Sequence, residues 1–417
     1  MITSNPYPGR DSFSPAQRIG EFLVTYFHQH PDFYLFSPDE TTSNKLDALY
    51  DHTARAWQLP RASFDLPESG SGHIIELLSE NTLFACMAGH LISGSPAAMT
   101  SYEAFFSIIT SQILQHLKFL QQSQQVSWRP AYPSANLLST STCWRQDHNG
   151  FTHQSPALIS TLLALPSNLT NCLFPIDDLA AEAAAIYAFN SQNRVNLLTF
   201  NKTPQPRWLT SPAADAQFFH GGASIVDFAP DDQSVTFASA AKPTNSKPTN
   251  SKPSNPSPSD HPDYILTAAG DIVSTEALRA LAILRRDLPD KRFRFVNIAA
   301  LSYNAIGTTD RKLTSAEFNQ LFTPDRPIIA NFHGYPATLE HILAQYTTPS
   351  RLHVHGFEDQ GSTTTPFEML SLNHASRYHL ALDVARLEHR SDLIQKYQHA
   401  ITSNRAYARQ HGLDQVK

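Results

Sequence analysis

Cysteine is scarce in this 417-residue chain, which has only Cys86, Cys143 and Cys172. Their spacing fits no metal motif, and an odd, small number in a long chain excludes a disulfide framework and suits a reducing compartment. A cytoplasmic location is the expectation. A basic excess is also missing: Lys+Arg 31 against Asp+Glu 37 gives a formal net charge of -6, which leaves no electrostatic footprint for nucleic acid. No apolar run approaches the length that crosses a bilayer, and the start, MITSNPYPGRDSF, has no apolar signal core. Neither a nucleic acid nor a membrane is therefore expected as a partner.

What is present is a globular composition, 41% hydrophobic and 16% charged, in a chain long enough for two or three domains. One segment departs from it. Residues 239–262 contain KPTNSKPTNSKPSNPSPS, whose prolines and small polar side chains cannot build a packed core. A disordered linker is expected there, between a domain at 1–238 and another at 263–417.

Strand and helix patterns alternate on both sides of the linker. Ile19, Phe22, Leu23, Tyr26 and Phe27 recur at helical spacing and predict a helix over Pro15–Gln29. A strand over Phe33–Phe36 empties into SPDETTSN, whose capping residues predict a helix from Lys45 to Trp57. Ile74 and Ile75 read as a strand before LLSEN and a helix over Thr82–Leu91, and a long helical stretch begins at Tyr102. Strands at Ala135–Thr142, Leu169–Phe174 and Val195–Phe200 follow, the last two flanking a helix at Leu179–Asn190. The second half repeats the alternation from Tyr264 onward and closes with a helix from about Pro366 to Leu387. The implied class is α/β: two domains, each a mainly parallel sheet flanked by helices.

The stretch Cys143–Gln154, CWRQDHNGFTHQ, concentrates a guanidinium, amides, a carboxylate and two imidazoles just after a strand. Open α/β sheets bind ligands at that end of a strand. A polar surface turn with two incidental histidines is the alternative. His148 and His153 are five apart and lack paired cysteines or a carboxylate set, so no metal is assigned to them. Glu80 lies between an apolar run and an apolar helix, where burial would raise a carboxyl pKa and suit proton transfer; a capping or ion-paired glutamate is the other reading. Ser43 is either a helix cap or an anion contact, and Lys202, taken alone, reads as solvent decoration.

The run WRQDHNGFTHQ resembles the WRQDHNGFSHQ signature of the thiamine-diphosphate-dependent phosphoketolases. The resemblance continues in order through SPDETTSNKL, ELLSEN, SYEAF, NKTPQP, ANFHGYP and GSTTTPFEML, from about Gln17 to Leu387. It implies two transketolase-like domains and a dimer. The activity it implies is a lyase that splits xylulose 5-phosphate or fructose 6-phosphate with inorganic phosphate, giving acetyl phosphate and an aldose phosphate. Thiamine diphosphate with Mg²⁺ is the implied cofactor. Residue for residue, Glu80, Tyr102 and Phe105 would meet the cofactor, with Glu80 promoting its reactive tautomer. Gln146, His148 and His153, with Glu80 and Tyr102, would be catalytic. Ser43, Asn149, His148 and Lys202 would hold substrate phosphate.

The sequence departs from the family in several places. Lys45 stands for an arginine, Asn81 for a histidine, and Gln124-Gln125 for an Arg-Glu pair, which implies a weaker grip on phosphate. Gly270-Asp271 with Asn297 only imitates the GDG…N motif that holds diphosphate and magnesium: Ile272 fills the third position, in what matches the family's C-terminal domain. A complete family member is about twice as long. The chain is thus expected to offer half of each cofactor site and to need a diphosphate-domain partner for turnover. The alternative is a non-catalytic truncated paralogue that binds or regulates a full-length phosphoketolase.

Overall fold

A computed structural model describes residues 9–63, 65, 68–145, 149–209, 219, 223–228, 235–238, 262–358 and 362–415. Helix α1 (Pro15–Gln29) begins as its sequence dictates, with proline in the first turn and the Ser14 hydroxyl accepting the Gln17 N–H. Six strands then run parallel: β1 (Tyr34–Ser37), β2 (Ile74–Glu76), β3 (Ala97–Tyr102), β4 (Ala135–Thr140), β5 (Thr170–Leu173) and β6 (Val195–Thr199). Their spatial order is β5-β6-β4-β3-β1-β2. Helices α2 (Glu80–Ile92), α3 (Thr110–Ser123), α4 (Ala157–Ala164) and α5 (Asp178–Asn190) connect them. Both sheet faces are covered, so the strands are buried nearly throughout. The polar side chains inside pair with one another: Asn171 donates to Asn196 and Asn196 to Asn136, each at 2.9 Å, across three adjacent strands.

The second half adds strands β7 (Ala223–Phe228), β8 (Val235–Ala238), β9 (Tyr264–Ala269), β10 (Phe293–Ile298), β11 (Ala300–Ser302), β12 (Ala305–Ile306), β13 (Ile328–Phe332) and β14 (Leu352–His355). The second sheet has the order β8-β7-β10-β9-β13-β14, with β9, β10, β13 and β14 mutually parallel. Helices α6 (Asp271–Asp287), α7 (Ser315–Phe322), α8 (Pro336–Leu343), α9 (Pro366–Leu372), α10 (Arg377–Leu387) and α11 (Ser391–His411) complete it. Among the described residues no helix is long and apolar enough to cross a membrane.

Sheet membership does not follow the expected boundaries at 238 and 263. β7 pairs antiparallel with β10 of the second sheet, whereas β11 pairs with β5 of the first. The expected linker, apart from Pro262, lies outside the described residues.

Three helix expectations also fail. No helix spans Lys45–Trp57: Lys45 has a left-handed backbone, φ 62°, and only the short 3-10 turn Asp47–Asp51 follows. The stretch from Tyr102 divides, because Tyr102 ends β3 and a 3-10 segment, Glu103–Ile109, precedes α3. The closing helix breaks after Leu372, with His374 left-handed at φ 55°, and the long polar α11 beyond it was not anticipated.

The two sheets are joined by a buried polar pin. Glu103, 3% exposed, accepts the Cys143 backbone N–H at 2.7 Å with one carboxylate oxygen, and its other oxygen lies 2.8 Å from Nε2 of His333, which is fully buried. Trp144 Nε1 donates to the His333 carbonyl at 3.0 Å. Asp271, at the start of α6, accepts the Asn201 N–H at 2.7 Å, so the loop after β6 is tied to the second sheet as well. Gly270 is required beside the pin: its φ is 118°, and a Cβ there would lie 2.8 Å from the His333 Cβ. Burial opposes charge on His333, but Glu103 and Asp271 outweigh it and raise its pKa, while burial pushes Asp271 up to about 6.

Replacing Glu103 by Ala strands the His333 imidazole and the Cys143 amide without their partner. A loss of about 3 kcal/mol is expected, the scale of breaking a buried pair, measured as a shift in the urea midpoint. The double variant Glu103→Ala/His333→Ala should lose less than the sum of the single variants.

Candidate active site

All the parallel strands of the first sheet point their carboxyl ends to one edge, and the predicted residues follow β1, β2, β3, β4 and β6 there. After β1 the chain turns sharply: Asp39 has φ 64°, and the Ser37 hydroxyl accepts the Glu40 N–H at 3.0 Å. This turn, rather than the expected helix start, presents Ser43. The Ser43 and Tyr102 hydroxyl oxygens are 2.5 Å apart, and Lys202 Nζ donates to Ser43 Oγ at 3.4 Å. The same ammonium sits 4.8 Å from the centre of the Tyr102 ring. Lys202 is half-buried; burial and Lys45 lower its pKa, against an opposing pull from Glu40. Two hydroxyls and an ammonium meeting at one point make a receptor for an anionic oxygen.

Glu40 was not anticipated. Its carboxylate accepts the Tyr102 backbone N–H at 3.0 Å, with Asn44 Nδ2 at 3.5 Å. Burial pushes its pKa up to about 8; the two hydrogen bonds and Lys202 oppose this, and the neighbouring charge of Glu80 adds to it. Glu40 is therefore mainly protonated at neutral pH, beside a second carboxyl group. In the sequence it stands inside SPDETTSN, where an acidic residue reads as one more capping group. Only the position of Glu80 across the sheet edge reveals the pair.

Glu80 opens α2, capped by the Ser79 hydroxyl, which accepts the Thr82 N–H at 3.3 Å. The expected apolar enclosure is absent within the chain, for Leu77 is 46% and Leu78 81% exposed. Tyr102 and Phe105 stack with centroids 6.0 Å apart, and the His153 ring meets the Phe105 ring edge-on at 5.0 Å. His153 Nδ1 lies 2.8 Å from the Thr152 hydroxyl. Asn149 is half-buried on the same loop. Gln146 and His148 lie outside the described residues. The loop's far end is fixed by Gln154, which donates to the Ser362 carbonyl at 2.6 Å and accepts the Ser362 N–H at 3.2 Å.

The structure thus brings together Ser43, Tyr102, Lys202, Phe105 and His153, with Glu80 close enough to Glu40 to act on its charge. It separates Gln124 and Gln125 from them. That pair sits exposed at the end of α3, which leads into the amino end of β4, on the opposite edge of the sheet. Lys45 is exposed, and Asn81 contributes its backbone carbonyl to Gln112 Nε2 at 2.9 Å. The imitation motif is spent on structure: both Asp271 oxygens accept backbone N–H groups, from Asn201 and Ile272. Among the described residues, the one group of three His, Cys, Asp or Glu donors close enough to hold an ion is Glu103, Cys143 and His333, within 4.8 Å of one another. That is the buried pin, and both Glu103 oxygens are already engaged.

The family model described as D-xylulose 5-phosphate/D-fructose 6-phosphate phosphoketolase matches residues 17–190, and that of the family's C-terminal domain matches 250–417. A probable phosphoketolase of Pseudomonas putida is 34% identical over 383 residues, 91% of this chain and 45% of the relative. One from Nitrosospira multiformis is 34% identical over 420 residues, 98% of this chain and 49% of the relative. The chain spans about half the length of the curated relatives it matches. Among solved structures, transketolase from Pichia stipitis with sedoheptulose 7-phosphate has a TM-score of 0.65 at 16% identity, covering 92% of this chain and 47% of that one. A split-gene transketolase, described as an inactive β4 tetramer, has a TM-score of 0.57 at 14% identity and covers 90% of this chain and 98% of that one. These likenesses give a transketolase-like α/β fold. With its signature stretch carried on that fold and both family models matched, the chain belongs to the phosphoketolase family.

Proposed function

We propose that this chain supplies the ring-activating and sugar-facing wall of a thiamine-diphosphate site. The assembled site would cleave xylulose 5-phosphate or fructose 6-phosphate with inorganic phosphate to acetyl phosphate and an aldose phosphate. The observation that carries the reading is the convergence of Glu80, Tyr102, Phe105, His153, Ser43 and Lys202 on one edge of the first sheet.

These residues fit one half of the cofactor. The Glu80 carboxylate suits the proton traffic of an aminopyrimidine, and the stacked Tyr102 and Phe105 rings offer it a flat apolar wall. The diphosphate and Mg²⁺ find no such fit, since the grouped donors among the described residues belong to the buried pin. When bound, the cofactor supplies a nucleophilic carbon and an electron sink for cleavage between C2 and C3. Lys202, Ser43 and Tyr102 hold the substrate phosphate, with Asn149 and His148 added by resemblance. His153, with Gln146 and His148 by resemblance, faces the sugar oxygens, where an imidazole can pass a proton. Glu40, largely protonated, keeps a second negative charge away from Glu80 and from the phosphate.

The remaining half of each site comes from a separate chain carrying a diphosphate-binding domain. Exposed apolar side chains support such a partner surface: Leu77 and Leu78, just before Glu80 in the chain, face outward, as do Ile108 and Phe151. The match in length to a split-gene transketolase chain supports it too. The alternative, a non-catalytic paralogue that binds a full-length phosphoketolase, is favoured by Lys45, which is exposed where the family has an arginine.

Purified alone, the chain should form no acetyl phosphate from xylulose 5-phosphate; mixed with a chain carrying the diphosphate-binding domain, it should. Acetyl phosphate trapped as the hydroxamate decides this, and inactivity of every reconstituted mixture favours the paralogue reading. In an active mixture Glu80→Gln should lower kcat by about 10²–10⁴, the range for a positioned proton-transfer group.

Lys202→Ala should raise the KM for the sugar phosphate by roughly tenfold, the worth of one charge-assisted hydrogen bond, with a smaller change in kcat. Steady-state kinetics of the same mixture separates the two.

The raised pKa of Glu40 fixes a pH dependence of stability. Below about 4.5 the carboxyl is protonated folded or unfolded, so no difference arises; between 4.5 and about 8 only the folded chain retains the proton, and stability falls as pH rises. Glu40→Gln, which cannot ionise, should therefore gain on the wild type in thermal melts across that window and keep a constant lead above it.

A further inference from the structure

A large cavity lies outside the edge described above, where the two halves of the chain meet. Its volume is about 1230 Å³, and its walls come from Trp144 and Arg145, the segment after Lys202, the first turns of α6, the threonines before α9 and the end of α11. A cavity of that size admits a small organic molecule with room to spare.

Its charged groups are unevenly matched. Arg377 takes Glu276 through side-chain bonds of 2.6 and 2.9 Å and donates its backbone N–H at 2.8 Å, which leaves Arg279 to share the same carboxylate at 3.5 Å. Burial and the neighbouring Arg377 lower the Arg279 pKa, the signature of a cation short of countercharge. Arg145 also lines the cavity, and its buried Nε has no hydrogen-bond partner among the described residues. The Thr275 hydroxyl, on a residue 5% exposed, is likewise without a partner among the described residues. Thr275 and Arg279 are four residues apart on α6, so both present the same helix face to the cavity. At the other end Glu368 holds Arg409 at 3.1 Å, and Asp414 accepts the Phe367 N–H at 2.9 Å with one oxygen, its other oxygen having no partner among the described residues. Buried donors without acceptors are costly unless something supplies the acceptor.

We propose that this cavity binds a small polyanion, a phosphate ester or a polycarboxylate, whose charged groups are taken by Arg145, Arg279 and the Thr275 hydroxyl. Planar guanidinium forks suit both kinds of oxyanion, and the apolar parts of Trp144, Ile272 and Phe367 leave room for a carbon skeleton. The site is separate from the anion receptor at Ser43, Tyr102 and Lys202, yet it touches the same signature loop. Arg145 stands in that loop, and Gln154 ties the loop to Ser362, next to the cavity's Thr363.

Calorimetric titration of the full chain with inorganic pyrophosphate and, separately, with citrate tests this. At least one should bind, and Arg145→Gln or Arg279→Gln should each weaken it by roughly tenfold, the worth of a charge-assisted hydrogen bond, while Lys202→Ala leaves it unchanged. Stronger binding of pyrophosphate marks a phosphate ligand, and stronger binding of citrate a carboxylate. Absence of heat with both anions overturns the proposal, as does unchanged affinity in both arginine variants. Loss of binding in Lys202→Ala would move the anion to the substrate edge and also overturn it. Arg279, partly exposed, decides the matter if Arg145→Gln does not fold.

Discussion

One buried carboxylate, that of Glu103, holds the rest in register. It follows Tyr102, the last residue of β3, and it grips both the first amide of the signature stretch and the imidazole of His333 from the second sheet. A group so placed couples what the sequence keeps far apart, for the residues of the Glu103–His333 pair are 230 positions apart. Burying an acid and an imidazole together is favourable only when each satisfies the other and little is left over. Glu103 meets that condition by spending both oxygens, and Asp271 adds a second negative neighbour that raises the ring's pKa, while the His333 Nδ1 stays buried with no hydrogen-bond partner among the described residues. The signature stretch begins from an anchored amide, although its side chains serve an open edge.

That edge owes its chemistry to topology. Parallel strands place every following loop on the same side of the sheet, so Glu40, Glu80, Tyr102, His153 and Lys202 meet without any of them being close in sequence. Their charges then settle one another. Lys202 is held between the ring of Tyr102 and the hydroxyl of Ser43, while the neutralised Glu40 supports the Tyr102 backbone. Were Glu40 ionised, its charge would compete for Lys202 with any anion bound there. Burial, which raises its pKa, removes that competition at neutral pH.

Periodicity made much of this legible. The apolar spacing of Ile19, Leu23 and Tyr26 marks α1 to its last residue, and the apolar runs around Leu137 and Leu197 mark strands buried on both faces. What failed was local chemistry that admits two outcomes. Thr41, Thr42 and Ser43 resemble a helix cap, yet Asp39 and Lys45 take left-handed conformations and turn the chain instead. The long polar α11 carries too few apolar residues to announce a buried stripe, because only Leu393, Tyr397, Asn404 and Ala408 are buried along it. The signature stretch was readable as chemistry from its residue types. The carboxyl pair Glu40 and Glu80 was not, since it exists only across two strand ends, and neither was the pin, since Glu103 reads as a helix residue in SYEAF.

The exposed flank of Glu80 completes the argument for a shared site. A carboxylate becomes a proton carrier near neutral pH when water is withdrawn from it, and Glu40 already shows the effect on the same edge. Glu80 stands at a helix start beside Leu77 and Leu78, which are largely solvent-exposed. Apolar side chains of this size are left outward at a cost of about 1.5–3 kcal/mol each relative to burial, and here they flank the one carboxylate whose proposed role demands a dry setting. Under the proposed function, a surface that covered Leu77 and Leu78 would bury apolar area and dry Glu80 in one step. Assembly and activation of the proton-transfer group would then, on that proposal, be the same event, with the partner acting by excluding solvent.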